Sequence, residues 1–186
     1  LMAGAKVDAS GAAGGGTVLV GGDWQGSNGV YQATSVSMEA GAKIDASAKQ
    51  SGDGGKVVLW SDIHNPESIT QVDGEVRATG GNLSGDGGKV ETSGHRLNVD
   101  GIQVSTLSTK GNTGEWLLDP YDVVIGTTAS GTGYSANFTP SATSYIKAAD
   151  IASSLNGNTG VTISTGASGS NTIFVSSAIT ATGGSA

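Results

Sequence analysis

The stretch Gly41-Ala42-Lys43-Ile44-Asp45-Ala46-Ser47, followed by Ser51-Gly52-Asp53-Gly54-Gly55-Lys56-Val57-Val58-Leu59-Trp60-Ser61, decides the fold because the chain repeats it. Upstream, Gly4-Ala5-Lys6-Val7-Asp8-Ala9-Ser10 precedes Gly16-Thr17-Val18-Leu19-Val20. Downstream, Gly74-Glu75-Val76-Arg77-Ala78-Thr79 precedes Ser84-Gly85-Asp86-Gly87-Gly88-Lys89-Val90-Glu91-Thr92-Ser93-Gly94. A more degenerate copy runs Gly101-Ile102-Gln103-Val104-Ser105-Thr106, then Gly111-Asn112-Thr113-Gly114-Glu115-Trp116-Leu117-Leu118. The anchors Val7, Ile44, Val76 and Val104 recur at intervals of 37, 32 and 28 residues.

Those intervals are too irregular for a helical array, and helix formers are few. Apolar and polar residues instead alternate, as in Lys43-Ile44-Asp45-Ala46 and Glu75-Val76-Arg77-Ala78, the period of a half-buried strand. A third short run precedes each anchor: Ser35-Val36-Ser37-Met38, Ile69-Thr70-Gln71-Val72 and Leu97-Asn98-Val99. Three strands per repeat make one coil with three faces, and like positions of successive coils then lie about 4.8 Å apart. The fold predicted is all-β, a right-handed parallel β-helix (solenoid). Val7, Ile44, Val76 and Val104 form one inward ladder, and Val18, Val57, Val90 and Trp116 another. One coil alone buries too little, so stability must come from stacking.

Glycine accounts for 32 of the 186 residues, about 17% against a usual ~7%, while proline numbers 3. Tight turns between coil faces explain this, with glycine supplying positive φ at Asp53-Gly54-Gly55 and Asp86-Gly87-Gly88. The division predicted is 1–125 as β-helix coils in about four degenerate repeats and 126–144 as a Gly/Ser/Thr-rich loop or extruded hairpin. Residues 145–186 then hold a short helix plus further strands. Ile146, Ile151 and Leu155 have helical spacing before Asn156-Gly157, which places the helix near 147–155. Strands resume at 160–165 and 171–176, with a further one at 178–181.

There are no cysteines, so thiol chemistry and disulfide stapling are excluded. A net charge of −7 and scattered Lys and Arg argue against nucleic acid and anionic membranes as partners. No apolar run reaches the ~20 residues of a membrane helix, so no membrane insertion is expected. The chain opens inside a repeat and shows no signal peptide, and it reads as a segment of something longer.

Several segments resemble filamentous haemagglutinin-like exoproteins of two-partner secretion systems. They are Gly16-Thr17-Val18-Leu19-Val20-Gly21-Gly22-Asp23-Trp24-Gln25-Gly26, then 52–62, and then 87–94. The most specific is Gly114-Glu115-Trp116-Leu117-Leu118-Asp119-Pro120-Tyr121-Asp122-Val123-Val124-Ile125, and Ala148–Asn156 followed by Val161-Thr162-Ile163 is similar too. The resemblance implies a secreted bacterial surface adhesin exported through an outer-membrane β-barrel transporter. Its partners would be host-cell receptors, other bacteria or biofilm polysaccharide. It carries over no catalytic residue, and the chain is expected not to be an enzyme. The alternatives are a polysaccharide-active β-helix lyase or hydrolase and the stalk of a contact-dependent toxin.

Trp24 and Tyr31 lie in the irregular insertion between the first two repeats and are the carbohydrate or receptor contacts expected, since sugar C–H faces pack on rings. The opposing reading makes Trp24, Trp60 and Trp116 interior plugs. Asp53 and Asp86 stack in equivalent turns, where calcium would bridge them; the plainer reading is that Asp-Gly suits the turn. No other cofactor is expected. Asp8, Asp45 and Arg77 fall on one outward row, either an acid/base group or solubilising charges. His64 and His95 come one coil apart without a third metal ligand, and are read as solvent-facing loop residues.

Overall fold

The computed structural model describes residues 1–127, 143–166 and 171–182. Strand-forming alternation yields β1 (Lys6–Asp8), β2 (Thr17–Val20), β3 (Ser35–Met38), β4 (Lys43–Asp45), β5 (Lys56–Trp60) and β6 (Ile69–Val72). There follow β7 (Glu75–Arg77), β8 (Lys89–Gly94), β9 (Arg96–Asn98), β10 (Gln103–Ser105), β11 (Glu115–Pro120) and β12 (Asp122–Gly126). The C-terminal part holds β13 (Thr143–Lys147), the helix α1 (Ala148–Asn156), β14 (Gly160–Ile163) and β15 (Ile173–Val175). The segment 178–181, expected as a strand, is irregular. The loop or hairpin expected over 126–144 lies outside the described residues from 128 to 142.

Every strand pairing among the described residues is parallel. The sheets run β1-β4-β7-β10, β2-β5-β8-β11-β14, β3-β6-β9 and β13-β12-β15. From β3 to β11 the chain visits the first three sheets in fixed rotation, so equivalent residues of successive repeats pair directly. Val7 pairs Ile44, Ile44 pairs Val76 and Val76 pairs Val104. Val18, Val57, Val90 and Trp116 form the second column. These columns meet Val36, Met38, Val72 and Leu97 in one apolar core shared by the sheets. Period-two alternation puts the core residues on one face of each strand and leaves Lys6, Lys43, Glu75 and Gln103 outward.

The turn before the five-stranded sheet shows why its glycines are needed, and close approach joins the positive φ expected. Gly54, Gly55, Gly87 and Gly88 do not have positive φ; the left-handed residues are Gly52 (φ 87) and Gly85 (φ 118), just ahead of each Asp. Gly55, Gly88 and Gly114 are required by close approach instead. A Cβ on Gly55 would lie 1.9 Å from the Gly16 carbonyl oxygen, and one on Gly88 2.1 Å from that of Gly55. One on Gly114 would lie 2.1 Å from that of Gly88. The same carbonyls accept the N–H groups of Lys56, Lys89 and Glu115 at 2.9–3.0 Å, so the turns cannot spread without breaking the ladder.

Regular succession stops after β11. β12 pairs with β13 on one side and β15 on the other. β13 also lies against β9, where Ser144 Oγ accepts the Leu97 N–H at 2.8 Å. β13 thus occupies the place between β9 and β12 although it follows β12 in the chain. The helix then packs on β10, β13 and β14, with Ile151 and Ala152 buried. Its stop falls one residue beyond the expected glycine: Gly157 keeps φ −83 and Asn158 takes the left-handed φ of 54. Just past it, Thr159 Oγ1 accepts the Thr106 N–H at 3.1 Å and donates to the Val104 carbonyl at 3.4 Å, covering the open edge of β10.

Gly88→Ala should cost about 3 kcal/mol in urea unfolding, the scale of an overpacked site with no room to relax. Gly29→Ala, at φ 61 with open space around it, should cost only about 1 kcal/mol. Equal losses in the two variants would contradict the close-approach account.

Candidate functional site

Strand β5 is apolar on consecutive residues, Val57-Val58-Leu59-Trp60, and all four are buried. A strand buried on both faces reads that way. Val57 and Leu59 face the main core, whereas Val58 and Trp60 belong to a second cluster with Ile63 and Trp24 on the other side of the sheet. The interior position expected for Trp116 holds, with its Nε1 donating to Thr92 Oγ1 at 3.0 Å. That expected for Trp60 does not: it faces outward and is covered there.

The cover is the insertion between β2 and β3. The chain turns at Gly21 (φ 84) and passes Gly22, where a Cβ would sit 2.4 Å from the Trp60 ring. It forms a short 3₁₀ turn at Trp24–Gly26 and returns to bridge Ser61 through Ala33. Trp60 is 1% exposed and donates from Nε1 to Gln32 Oε1 at 2.9 Å. Asp23 accepts from the Lys56 ammonium at 2.6 Å, the Asn28 amide at 2.8 Å and the Trp24 N–H at 2.7 Å. The Lys56 hydrogen bond, then those of Asn28 and Trp24, hold its carboxyl down at about 2. The Lys89 ammonium lies 5.6 Å from the Trp24 ring centroid, within cation–π range.

Under this cover sits Glu91, which is 0% exposed. It occupies the outward row that Val58 and Leu117 fill on the neighbouring strands. Its Oε2 accepts the Gln25 N–H and its Oε1 the Ser93 hydroxyl, each at 2.9 Å. Burial pushes its pKa up to about 7; the two hydrogen bonds oppose this, and the charges of Asp119 and Asp23 add to it. Asp119, 4% exposed on the next strand, is raised mainly by burial. The Gly166 N–H, the Ser164 hydroxyl and the nearby His64 pull it back. Two acids with raised pKa values thus share one sheet face, enclosed by protein rather than open to solvent. Sequence reading missed both. The signal for Glu91 was a carboxylate where the aligned repeats carry Val58 and Leu117.

Of the residues expected to contact a ligand, Trp24 is half-buried against the Trp60 cluster and Tyr31 is 83% exposed on the same insertion. Asp53 and Asp86 stack as expected, but each serves the next turn. Asp53 Oδ1 accepts the Asp86 N–H at 2.8 Å, and Asp86 Oδ1 accepts the Asn112 N–H at 2.7 Å. Among the described residues, no group of three His, Cys, Asp or Glu side chains is placed to hold a metal. Asp8, Asp45 and Arg77 do share a register row, and the two aspartates accept from Ser10 and Ser47 backbone N–H groups. His64 is exposed. His95, expected in solvent, is buried: its Nδ1 donates to the Ile63 carbonyl at 2.8 Å and its ring stacks on Tyr121, centroids 4.5 Å apart. Compared with known proteins, the chain matches no family model and no curated sequence.

Glu91 holds its proton more tightly folded than unfolded, so its contribution to stability is complete below about pH 4.5 and is lost as pH rises to about 7. Unfolding free energy should therefore fall by up to roughly 3 kcal/mol between pH 5 and 8. Glu91→Gln should flatten that slope. An unchanged slope would contradict the burial assigned to this carboxyl.

Proposed function

We propose that the chain is a shaft segment of a secreted, adhesive bacterial surface exoprotein of the filamentous haemagglutinin type, built as a right-handed parallel β-helix. The observation that carries this reading is the direct pairing of equivalent repeat residues, Val7 to Ile44 to Val76 to Val104, within parallel sheets. Stacked coils make a stiff rod, and a rod holds a binding segment away from the cell. The parent protein would leave the cell through its outer-membrane β-barrel transporter.

Within this reading, residues 21–34 are the display element. Trp24 and Trp60 fasten the insertion to the rod, and Tyr31 with Val30 projects from it. An exposed tyrosine offers an apolar face and a polar tip to a sugar ring or a receptor. Single contacts of this kind are weak, so attachment gains strength by repetition along the fibre. A second reading, a polysaccharide-active enzyme, draws on the carboxyl pair Glu91 and Asp119. Their burial, Glu91 beneath residues 21–34 and Asp119 beside Ser164 and Gly166, weighs against it, since a substrate needs an open groove.

The test is retention of the purified chain on cultured host cells, on bacterial biofilm and on a glycan array. Tyr31→Ala should cut retention about tenfold while leaving the melting temperature unchanged, the scale of one exposed anchor. Trp24→Ala should lower both. Undiminished retention in Tyr31→Ala, or no retention of the parent chain, would contradict the assignment.

A further inference from the structure

A cleft of about 300 Å³ opens where α1 crosses the end of the four-stranded sheet. One wall is the outward row of β7 and β10, namely Glu75, Arg77, Gln103 and Ser105; the other is Ser153 and Ser154 of α1. The cause is geometric. A helix is ~10 Å across and strands repeat every ~4.8 Å, so a helix packed beside the last strand stands off and leaves a groove. The outward rows also change character there. Lys6 and Lys43 give way to Glu75 and Gln103, and Asp8 and Asp45 to Arg77 and Ser105.

The two charged groups in this cleft are paired with each other, whereas its neutral polar side chains are uncommitted. Glu75 is held by the Lys43 ammonium at 2.5 Å, whose hydrogen bond keeps its carboxyl below the usual range. Arg77, its side chain 46% exposed, also pairs with Glu75, one guanidinium nitrogen 3.5 Å from Oε1. The side chains of Gln103, Ser105 and Ser153 make no hydrogen bond among the described residues.

We propose that this cleft binds one carboxylate-bearing sugar, a uronic acid unit of an acidic polysaccharide. The Arg77 guanidinium supplies paired N–H donors that match a carboxylate in plane. Gln103, Ser105 and Ser153 donate to and accept from ring hydroxyls. The volume is at the small end for ligand sites and suits one pyranose. A net charge of −7 repels a long polyanion, which favours a chain end over an internal run. Lys43 is a positioning residue, because it shares Glu75 with Arg77, which then spends only one nitrogen on that carboxylate and keeps its other N–H donors for a ligand. The site stands apart from residues 21–34 and does not depend on their role.

The experiment is calorimetric titration of the chain with a galacturonate trisaccharide and with the neutral trisaccharide cellotriose. The uronate should bind with a millimolar Kd and cellotriose at least about tenfold more weakly. Arg77→Ala and Arg77→Lys should each weaken uronate binding about tenfold, since lysine lacks the planar fork. Ser153→Trp should abolish it by filling the cleft. Lys43→Ala should weaken it severalfold, and Tyr31→Ala should leave it unchanged. Thermal melts establish that each variant is folded; Arg77, Lys43 and Ser153 are all surface positions. No saturable uronate binding at millimolar concentrations would overturn the proposal. So would unchanged binding in Arg77→Ala or Ser153→Trp, or equal affinity for cellotriose.

Discussion

Backbone touches backbone at Gly16, Gly55, Gly88 and Gly114, and the rest of the molecule depends on that contact. At each step a missing Cβ lets one turn settle onto the carbonyl of the turn before, at a distance no other residue tolerates. The carbonyl then accepts the next strand's first N–H at ladder distance. Because the strands enter the sheet already in contact, their register follows, and with it the inward columns of Val and Ile. Apolar burial supplies most of the stabilisation, but the glycine contact decides which residues it joins.

Departures from this rule mark where the molecule is specialised. Between β2 and β3 the chain leaves the stack and lies over the outer face of the five-stranded sheet. That detour hides Trp60 and encloses Glu91, and the exposed Tyr31 sits on it. After β11 the order of strands changes, with β13 between β9 and β12. A helix then packs on β10, and Thr159 just past it covers the edge where a further strand would have paired. The first departure shields a protonatable acid, and the second produces a polar cleft. Both arise from ending or interrupting a stack whose interior is uniform.

The parts legible in the sequence were those governed by short-range periodicity. Ile44 and Val76 alternate with polar neighbours, so their pairing could be read from the repeat alone. The helix at Ala148–Asn156 announced itself through Ile151 and Leu155. Less legible were positions decided by distant chain. The run Val57-Val58-Leu59-Trp60 cannot reveal that its alternate members face different clusters, because both faces are apolar. His95 is buried by Ile63 and Tyr121, and neither contact leaves a local trace. The place of β13 depends on a pairing across the chain, with no signal in its own residues. The glycines were legible only in part, since close approach and positive φ demand the same residue: Gly52 and Gly85 take positive φ, whereas Gly55 and Gly88 are required by close approach.

Equivalent residues of successive repeats lie side by side on neighbouring parallel strands, and cross-linking across them is the most direct test. The chain has no cysteine, so introduced thiols report without background. Lys43 and Glu75 face outward in register on adjacent strands, whereas Lys43 and Gln103 are two strands apart. The expected separations are about 4.8 Å and roughly 10 Å. A two-carbon thiol cross-linker should join the pair Lys43→Cys with Glu75→Cys within one molecule and leave Lys43→Cys with Gln103→Cys unjoined. Efficient joining of the second pair, or failure of the first, would contradict the stacked arrangement.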